Sequence, residues 1–223
     1  MTPSSPSVDL EWKPGCPMWT TENRSTIAEE KLRRVLERLV RKDYGKPMNA
    51  ILVKSWHCEL FEEIAPHPDY AGNFRDKDFT PYCLQDYEVC VGNILGTESG
   101  RVLEEVECFF DCFQIKIDSL TSSPSLDDDQ PLSEDQVSGV VKLAAWAHGE
   151  WIHIHPFANG NGRTARLIAN YVLVKFGFGP ALAVRPRPDM PYGLASYASM
   201  KDRNHNLMEL IIWQLLAQSY TST

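Results

Sequence analysis

Apolar residues recur along this chain at intervals that predict a largely helical protein. Between residues 29 and 42 they recur every three or four positions among charged neighbours, which is the pattern of an amphipathic helix. Residues 163–176 are apolar nearly all round, as is typical of the central helix of a bundle. The full pattern predicts helices over residues 29–42, 49–64, 101–117, 137–152, 163–176, 191–200 and 205–217.

Residues 69–99, between the second and third predicted helices, lack helical periodicity and are punctuated by glycine and proline. Two short segments there, Asn73 to Phe79 and Tyr87 to Val91, have the composition of strands. They predict a β-hairpin flap on an otherwise all-α fold. Residues 1–26 are rich in proline, serine and threonine and predict an irregular N-terminal arm, which leaves residues 27–223 as a single domain.

The composition is that of a folded globular chain, since 43% of its 223 residues are hydrophobic and 23% are charged. No apolar run reaches the roughly 18 residues of a spanning helix, and the first ten residues lack the features of a secretory signal. We therefore expect a soluble protein, cytoplasmic or otherwise intracellular, with no membrane partner. The six cysteines contain no Cys-x-x-Cys pair, which argues against a structural zinc site.

Charge is distributed unevenly along the chain. The net charge of −8 argues against a general nucleic-acid binder. Residues 137–223 nevertheless hold 8 basic and 4 acidic side chains, so we expect an anionic ligand to bind in that part. The acidic stretch Ser119 to Gln136 predicts a solvated loop, because runs of like charge repel one another. Metal binding by its three consecutive aspartates, Asp127 to Asp129, is the alternative.

The segment His155 to Arg166, with the sequence HPFANGNGRTAR, lies between two apolar predicted helices. A glycine-bearing turn that opens into a helix N-terminus is an anion site, because unpaired backbone N–H groups and the positive end of the helix dipole converge there. Gly160 and Gly162 would let the backbone approach a phosphate closely, and Asn161 between them adds a neutral donor amide. The segment therefore predicts a phosphate-binding cradle.

Two arginines and a histidine extend this cradle. Arg163 and Arg166 are three residues apart on the first turn of the helix, hence on one face, and together they suit a polyphosphate. His155 begins the turn and is the only nearby side chain able to take a proton at neutral pH. A base beside a phosphate cradle implies attack on phosphorus by a hydroxyl. Simpler roles, a helix cap for His155 and surface ion pairs for the arginines, are the alternative.

A metal-binding cluster is a further hypothesis, because three histidines, His148, His153 and His155, lie close together in the sequence. Residues 148 and 153 do not share a helix face well, and His148 falls on the apolar stripe of its helix. We therefore expect His148 to be packed and hydrogen-bonded rather than bound to a metal. His57 lies on the buried face of its own predicted helix, and we expect a structural role for it as well.

The segment HPFANGNGRTAR resembles the signature of the Fic family, HPFx(D/E)GNGRxxR, and matches it at every specified position except one. Trp56 to Ile64, Tyr70 to Arg75 and Ala147 to Ile154 resemble neighbouring segments of that family, so the resemblance covers roughly residues 49–215. It implies an all-α, Fic-like helical bundle with a small β-hairpin flap. It also implies AMP transfer from ATP to a serine, threonine or tyrosine hydroxyl of a target protein, with a homodimer left open.

The resemblance implies a role for each matching residue. His155 would be the general base that deprotonates the target hydroxyl. Gly160, Asn161 and Gly162 would form the anion hole for the α- and β-phosphates, while Arg163 would hold the outer phosphates and Arg166 would reach the γ-phosphate. The nucleotide-binding set also includes Asn159, Thr164 and Tyr192, with Tyr192 near the adenine. The flap residues that would dock the target by strand addition are Arg75, Asp76, Lys77, Asp78 and Phe79.

Asn159 stands where the family usually has the Asp or Glu that binds Mg²⁺. An amide oxygen can coordinate Mg²⁺ but brings no charge, so the implied magnesium site is weakened. The alternatives to AMP transfer are therefore another nucleotidyl, phosphocholine or phosphoryl transfer by the same fold, or a degenerate nucleotide- or partner-binding module.

Ser25 to Glu29 fits the start of the inhibitory motif (S/T)xxxE(G/N) found in many members of that family. The resemblance implies that Glu29 would pair with Arg166 and block the γ-phosphate. Glu30 stands where the motif has Gly or Asn. Ordinary N-capping of the first helix by Ser25 explains the same residues and is the alternative.

Overall fold

The computed structural model describes residues 11–19, 25–78, 80–121 and 131–221. Those residues form seven α-helices and two short hairpins, so the all-α prediction is confirmed. Each predicted helix has an observed counterpart whose ends are shifted by one to four residues. The helices are α1 Ser25–Arg41, α2 Ala50–Phe61, α3 Val102–Thr121, α4 Glu134–Ile154, α5 Asn161–Lys175, α6 Tyr192–Asp202 and α7 Asn206–Thr221.

The predicted irregular arm contains a short hairpin. Strand β1, Glu11–Lys13, pairs antiparallel with β2, Cys16–Pro17, around Gly15, whose φ of 74° is in the left-handed region that favours glycine. Cys16 forms a disulfide with Cys83, which ties this hairpin to the body of the protein. The parts of the predicted arm that lie outside the described residues are 1–10 and 20–24.

The β-hairpin of the flap lies further along the chain than predicted. Strands β3, Cys90–Val91, and β4, Ile94–Leu95, pair antiparallel across a two-residue connection that contains Gly92. The predicted strand from Asn73 to Phe79 is wrong, because the backbone there bonds elsewhere. The Arg75 N–H donates to the carbonyl of Pro156 over 2.8 Å, and Asp76 lies in an isolated bridge with Gln85 rather than in a strand.

The boundaries of the acidic loop also differ from the prediction. The side chain of Ser133 accepts from the Gln136 N–H, and the side chain of Gln136 accepts from the Ser133 N–H, which is a capping box. Helix α4 therefore begins at Glu134, inside the stretch predicted to be a loop, and α3 continues to Thr121. Residues 122–130, which include the three consecutive aspartates, lie outside the described residues.

Helix α4 lies at the centre of the bundle and packs against α3, α5, α6 and α7. Near the turn that joins α4 to α5, Trp151 Nε1 donates to the Thr164 hydroxyl over 2.8 Å, and that hydroxyl lies 3.0 Å from the Asn161 carbonyl. Both Trp151 and Thr164 are fully buried. This use of its hydroxyl removes Thr164 from the predicted nucleotide-binding set. No helix of the described ranges has the length and apolar content needed to cross a membrane.

We expect Thr164→Val to lower the free energy of unfolding by about 1–3 kcal/mol, because the buried Trp151 N–H would lose its acceptor. Urea unfolding followed by circular dichroism measures this change. Thr121→Val is the matched control, since Thr121 is exposed at the end of α3 and should change stability little. Equal stability of the two variants would show that the Trp151 to Thr164 hydrogen bond contributes nothing to the core.

Candidate active site

A six-residue turn, His155 to Gly160, connects α4 to α5 and has left-handed backbone at both ends. His155 has a φ of 53° and caps α4 by donating its N–H to the Trp151 carbonyl. Gly160 has a φ of 82° and directly precedes α5. A Cβ atom at Gly160 would lie 2.4 Å from the ring of Phe61, so only glycine fits there. The path of the chain into α5 is therefore fixed.

Buried rings hold the middle of the turn. Phe157 is fully buried, and its ring stacks on that of His57 with centroids 3.7 Å apart. His57 Nδ1 accepts from the Gly72 N–H over 2.9 Å, and its Nε2 donates to the Asn159 carbonyl over 3.0 Å. Burial lowers the pKa of His57 to about 3. The hydrogen bond to the Asn159 carbonyl opposes this shift, and repulsion from the Arg163 cation adds to it. The ring is thus neutral, and the structural role predicted for His57 is confirmed.

Asn161 closes the turn on itself. Its side-chain oxygen accepts from the Phe157 N–H over 2.9 Å, and its amide nitrogen donates to the Phe157 carbonyl over 2.8 Å. The side-chain amide is therefore not the free donor to phosphate that the sequence predicted, because it shapes the turn instead. The backbone N–H groups of Asn161 and Gly162 stand in the first turn of α5, where they have no intrahelical acceptor and can bind an anion.

One hydrogen bond fixes the tautomer in which His155 can act as a base. Its Nδ1 lies 2.8 Å from the carbonyl oxygen of Ile152. A carbonyl oxygen only accepts, so Nδ1 carries the proton and Nε2 of the neutral ring is bare. Burial lowers the pKa of His155 to about 4, the bond to Ile152 opposes this shift, and the Arg75 cation adds to it. The ring is therefore neutral at pH 7 and can take a proton at Nε2.

Arg75 is fully buried and donates from its Nε to the backbone carbonyl of this histidine over 2.8 Å. Three of its contacts are to the carbonyls of Ile154, His155 and Thr97, and the first two lie at the C-terminus of α4, where a cation complements the helix dipole. Burial lowers the pKa of Arg75 to about 10, which leaves it charged at pH 7. The guanidinium completes its contacts with the Tyr87 carbonyl and the Glu88 carboxylate, each over 3.3 Å.

The flap residues that were predicted to dock a target chain differ in how deeply they are buried. Arg75 and Asp76 are buried and lie away from the surface, so their predicted docking role is wrong. Lys77 and Asp78 are exposed, and their docking role stays a prediction. Phe79 lies outside the described residues. Sequence reasoning missed the contact of Arg75 with the His155 carbonyl, because its partners are up to 80 residues away and no local pattern marks them.

A cluster of positive charge lies at the N-terminal turn of α5. The guanidinium of Arg163 stacks over the ring of Phe61 at 4.6 Å. Burial lowers the pKa of Arg163 to about 10, and Arg185 and Arg166 lower it further by repulsion. Arg166 is 4% exposed, and its Nε is buried with no hydrogen-bond partner among residues 11–19, 25–78, 80–121 and 131–221. Neither Arg163 nor Arg166 forms an ion pair with a carboxylate of the described residues, so the cluster has capacity for an anion.

The Fic/DOC family model matches residues 47–173, which is more than half of the chain and includes the turn, the base and both arginines. This chain belongs to the Fic/DOC family. The curated "Protein adenylyltransferase Fic" of Aedes aegypti is 40% identical over 62 residues, which are 28% of this chain and 12% of that protein. The protein of the same name from Drosophila persimilis is 39% identical over 62 residues, with the same coverage. The match therefore spans a small part of these relatives.

Solved structures of Fic domains have a similar fold. The N-terminal Fic domain of Bep8 from Bartonella sp. 1-1C matches with a TM-score of 0.60 and 17% identity, over 85% of this chain and 83% of that chain. BepC from Bartonella tribocorum, solved with bound AMPPNP, matches with a TM-score of 0.56 and 16% identity, over 84% of this chain and 85% of that chain. At these identities the likeness shows the fold alone.

Tyr192 of this Fic chain holds the second motif arginine. Its hydroxyl accepts from Arg166 Nη1 over 2.7 Å and forms a hydrogen bond of 2.8 Å with His148 Nε2. Burial lowers the pKa of His148 to about 3, with a further contribution from Arg166, so the ring is neutral. The packed, hydrogen-bonded position predicted for His148 is confirmed. Tyr192 is 2% exposed beside Arg166, and its nearness to an adenine stays a prediction.

The three histidines near the turn do not form a metal centre. His153 Nδ1 bonds to the carbonyl of Met200 over 2.8 Å, and His155 and His148 bond to other groups. In the part of the chain that the structure describes, three possible metal ligands lie close together at a different place, and they are His67, Asp69 and Cys83.

Asn159 offers a poor site for Mg²⁺. Its side-chain oxygen accepts from the N–H of Gly160 over 2.6 Å, and its backbone carbonyl accepts from His57. One neutral oxygen that is already hydrogen-bonded brings no charge to the ion, whereas Mg²⁺ is usually bound by one or two carboxylates together with phosphate oxygens. The residues of this turn therefore do not fit the protein-bound Mg²⁺ that the family implies.

Glu29 lies at the rim of the positive cluster. It is exposed, and its carboxylate is 3.9 Å from Arg185 Nε. The predicted pairing of Glu29 with Arg166 is wrong, because the Arg166 guanidinium is buried against Tyr192. An inhibitory role for Glu29 would therefore have to act through Arg185. The side chain of Ser25 lies outside the described residues.

Arg75→Lys should lower the free energy of unfolding by about 3–5 kcal/mol, because a lysine keeps the buried charge but cannot reach the five acceptors of the guanidinium. Chemical denaturation measures this loss. Arg101→Lys is the control, since Arg101 is exposed and, among the described residues, its ion pair is with Glu105, four residues further along the chain. Unchanged stability together with lost target binding would restore the docking role and contradict the structural one.

Proposed function

We propose that this Fic protein transfers AMP from ATP to a serine, threonine or tyrosine hydroxyl of a target protein. The observation that carries the proposal is the bare Nε2 of His155 at the start of the turn that runs into the N-terminus of α5. The name of the curated relatives, protein adenylyltransferase, supports this activity. The AMPPNP bound in the BepC structure supports an adenine nucleotide as the proposed substrate of this chain.

The proposed reaction is a displacement at the α-phosphorus of ATP. The target hydroxyl oxygen attacks this phosphorus while its proton passes to His155 Nε2. The bond between the α-phosphorus and the oxygen that bridges to the β-phosphate breaks, and pyrophosphate leaves with the electron pair. Because the pKa of His155 is lowered to about 4, the ring is already neutral when the hydroxyl arrives.

The first turn of α5 would bind the phosphates before the transfer. The N–H groups of Asn161 and Gly162 and the helix dipole favour negative charge at this point. Arg163 and Arg166 add two cations with no carboxylate partner among the described residues. A buried donor without an acceptor, such as Arg166 Nε, costs about 1–3 kcal/mol, and an anionic ligand would remove that cost. Since Asn159 does not fit a bound Mg²⁺, no step of this mechanism is assigned to a metal.

Asn159 also favours a second candidate function, a nucleotide- or partner-binding module without transfer. The N–H groups and arginines that would bind phosphates do not depend on a carboxylate at position 159, so binding would persist where transfer is lost. Transfer of another nucleotidyl or phosphoryl group would use the same base and the same cradle.

We expect His155→Ala to lower the rate of AMP transfer by about 10² to 10⁴, the usual contribution of a general base, with ATP affinity largely retained. Labelling of a cell lysate with ATP carrying a tagged adenine measures transfer, and calorimetry measures ATP binding. The control is His153→Ala, since His153 bonds to Met200 and lies outside the cradle. Full labelling by His155→Ala would remove His155 from the mechanism.

Asn159→Asp should raise labelling at low Mg²⁺ concentration, because a carboxylate adds charge directly to the coordination sphere of the ion. The change is nearly isosteric, so the turn should keep its shape. The measurement is the labelling rate of both forms across a Mg²⁺ titration. A rise that is independent of Mg²⁺ would contradict this role for position 159, and ATP binding without transfer by either form at any Mg²⁺ concentration would favour the binding module.

A further inference from the structure

Four side chains that commonly bind metal ions meet where the N-terminal hairpin contacts the segment that follows α2. His67 Nδ1, a carboxylate oxygen of Asp69 and Cys83 Sγ all lie within 4.8 Å of one another. The sulfur of Cys16, from β2, is bonded to that of Cys83 and so belongs to the same cluster. The four residues come from three separate parts of the chain, and none is used by the proposed transfer reaction.

The hydrogen bonds of this cluster define its ligand atoms. His67 Nδ1 accepts from the Asp69 N–H over 3.2 Å, so in the neutral ring this nitrogen carries a lone pair rather than a proton, and an ion bound there would replace this hydrogen bond. One Asp69 oxygen, Oδ2, accepts from the Cys83 N–H over 3.1 Å and fixes the carboxylate. The other oxygen, Oδ1, lies 3.6 Å from His67 Nδ1. This is the separation expected for neighbouring ligands around a small tetrahedral ion.

The cluster is shielded on one side and open on the other. Cys16 and Cys83 are 0% and 1% exposed, whereas the side chains of His67 and Asp69 are 35% and 24% exposed. Two buried sulfurs and two half-buried ligands at the surface give an ion a path from solvent into a site that the protein encloses.

We infer that, when Cys16 and Cys83 are reduced, this cluster binds one Zn²⁺ through the two thiolates, His67 Nδ1 and Asp69 Oδ1. Two sulfurs, one imidazole and one carboxylate form a four-ligand set that suits tetrahedral zinc. At Zn–S distances of about 2.3 Å the two sulfurs would stand about 3.8 Å apart, which side-chain rotation from the bonded position allows. The absence of Cys-x-x-Cys spacing does not oppose this site, because its cysteines are brought together by the fold.

The oxidised and zinc-bound forms exclude each other. A dithiol reductant delivers two electrons and two protons to the sulfurs, which breaks the Cys16 to Cys83 bond, and the reductant becomes a cyclic disulfide. Binding of Zn²⁺ then releases one proton from each thiol. Zinc binding therefore belongs to a reducing environment and the disulfide to an oxidising one.

Either link supports the turn of the candidate active site. Cys16, Cys83, Tyr70 and Leu84 pack in one cluster with Ala158, the residue before Asn159. A disulfide or a bound ion that links β2 to Cys83 would therefore hold together the residues against which Ala158 packs.

The test uses the full chain, reduced with a phosphine, which takes oxygen from water as it reduces the disulfide and leaves no competing thiol. Cobalt(II) is added as a spectroscopic probe, and Zn²⁺ is then added in competition. We expect one equivalent of Co²⁺ to give a thiolate-to-metal charge-transfer band and the intense visible bands of a tetrahedral ion, and one equivalent of Zn²⁺ to remove both. The unreduced protein should give neither band.

Variants assign the ligands. Cys16→Ser and Cys83→Ser should lose the charge-transfer band, and His67→Ala, which keeps both cysteines and the fold, should weaken Co²⁺ binding at least tenfold. The double variant Cys108→Ser, Cys112→Ser is the control, because these thiols lie one turn apart on α3 outside the cluster. A reduced wild-type protein without the bands, or an undiminished charge-transfer band in Cys83→Ser together with unchanged Co²⁺ affinity in His67→Ala, would overturn the site and leave the disulfide as a structural link only.

Discussion

The geometry of the candidate site depends first on the buried ring of His57. It accepts from Gly72, donates to Asn159 and stacks on Phe157, so one side chain of α2 positions the flap segment and the turn together. The contact with Gly72 requires a neutral ring, because a protonated Nδ1 could not accept from its N–H. Burial secures this by lowering the pKa of His57 to about 3. Position 160 is glycine because a Cβ atom there would lie 2.4 Å from the ring of Phe61, and it would also stand 3.1 Å from His57 Nε2.

Buried cations are the second constraint on the site. A buried guanidinium is costly unless hydrogen bonds replace its hydration. Arg75 meets this requirement within the folded chain through carbonyls at the C-terminus of α4 and the Glu88 carboxylate. Arg166 meets it only in part, since its Nε has no hydrogen-bond partner in the described part of the chain. One arginine therefore stabilises the turn that bears His155, and the other keeps binding capacity for an anion at the N-terminus of α5.

The sequence predicted those features that local patterns encode. Helix α5 was predictable because its apolar residues continue over four turns, and the cradle was predictable because its residues are contiguous. The positions of Arg75 and of the His57 contact to Asn159 were not, since their partners lie 80 and 102 residues away. The flap was misplaced because the segment after Asn73 has strand-like composition, while its backbone bonds to Pro156. The meeting of Cys16 with Cys83 follows no spacing rule either.

The central claim is that the fold holds His155 as a neutral ring with a bare Nε2 throughout the physiological pH range. Ring ¹⁵N chemical shifts of His155, recorded by NMR between about pH 3.5 and 8, test this claim most directly. The account predicts the Nδ1–H form from about pH 8 to below pH 5, with protonation only near pH 4, where burial and Arg75 place the pKa. Titration near the ordinary value of about 6.5, or a proton on Nε2 in the neutral ring, would contradict it.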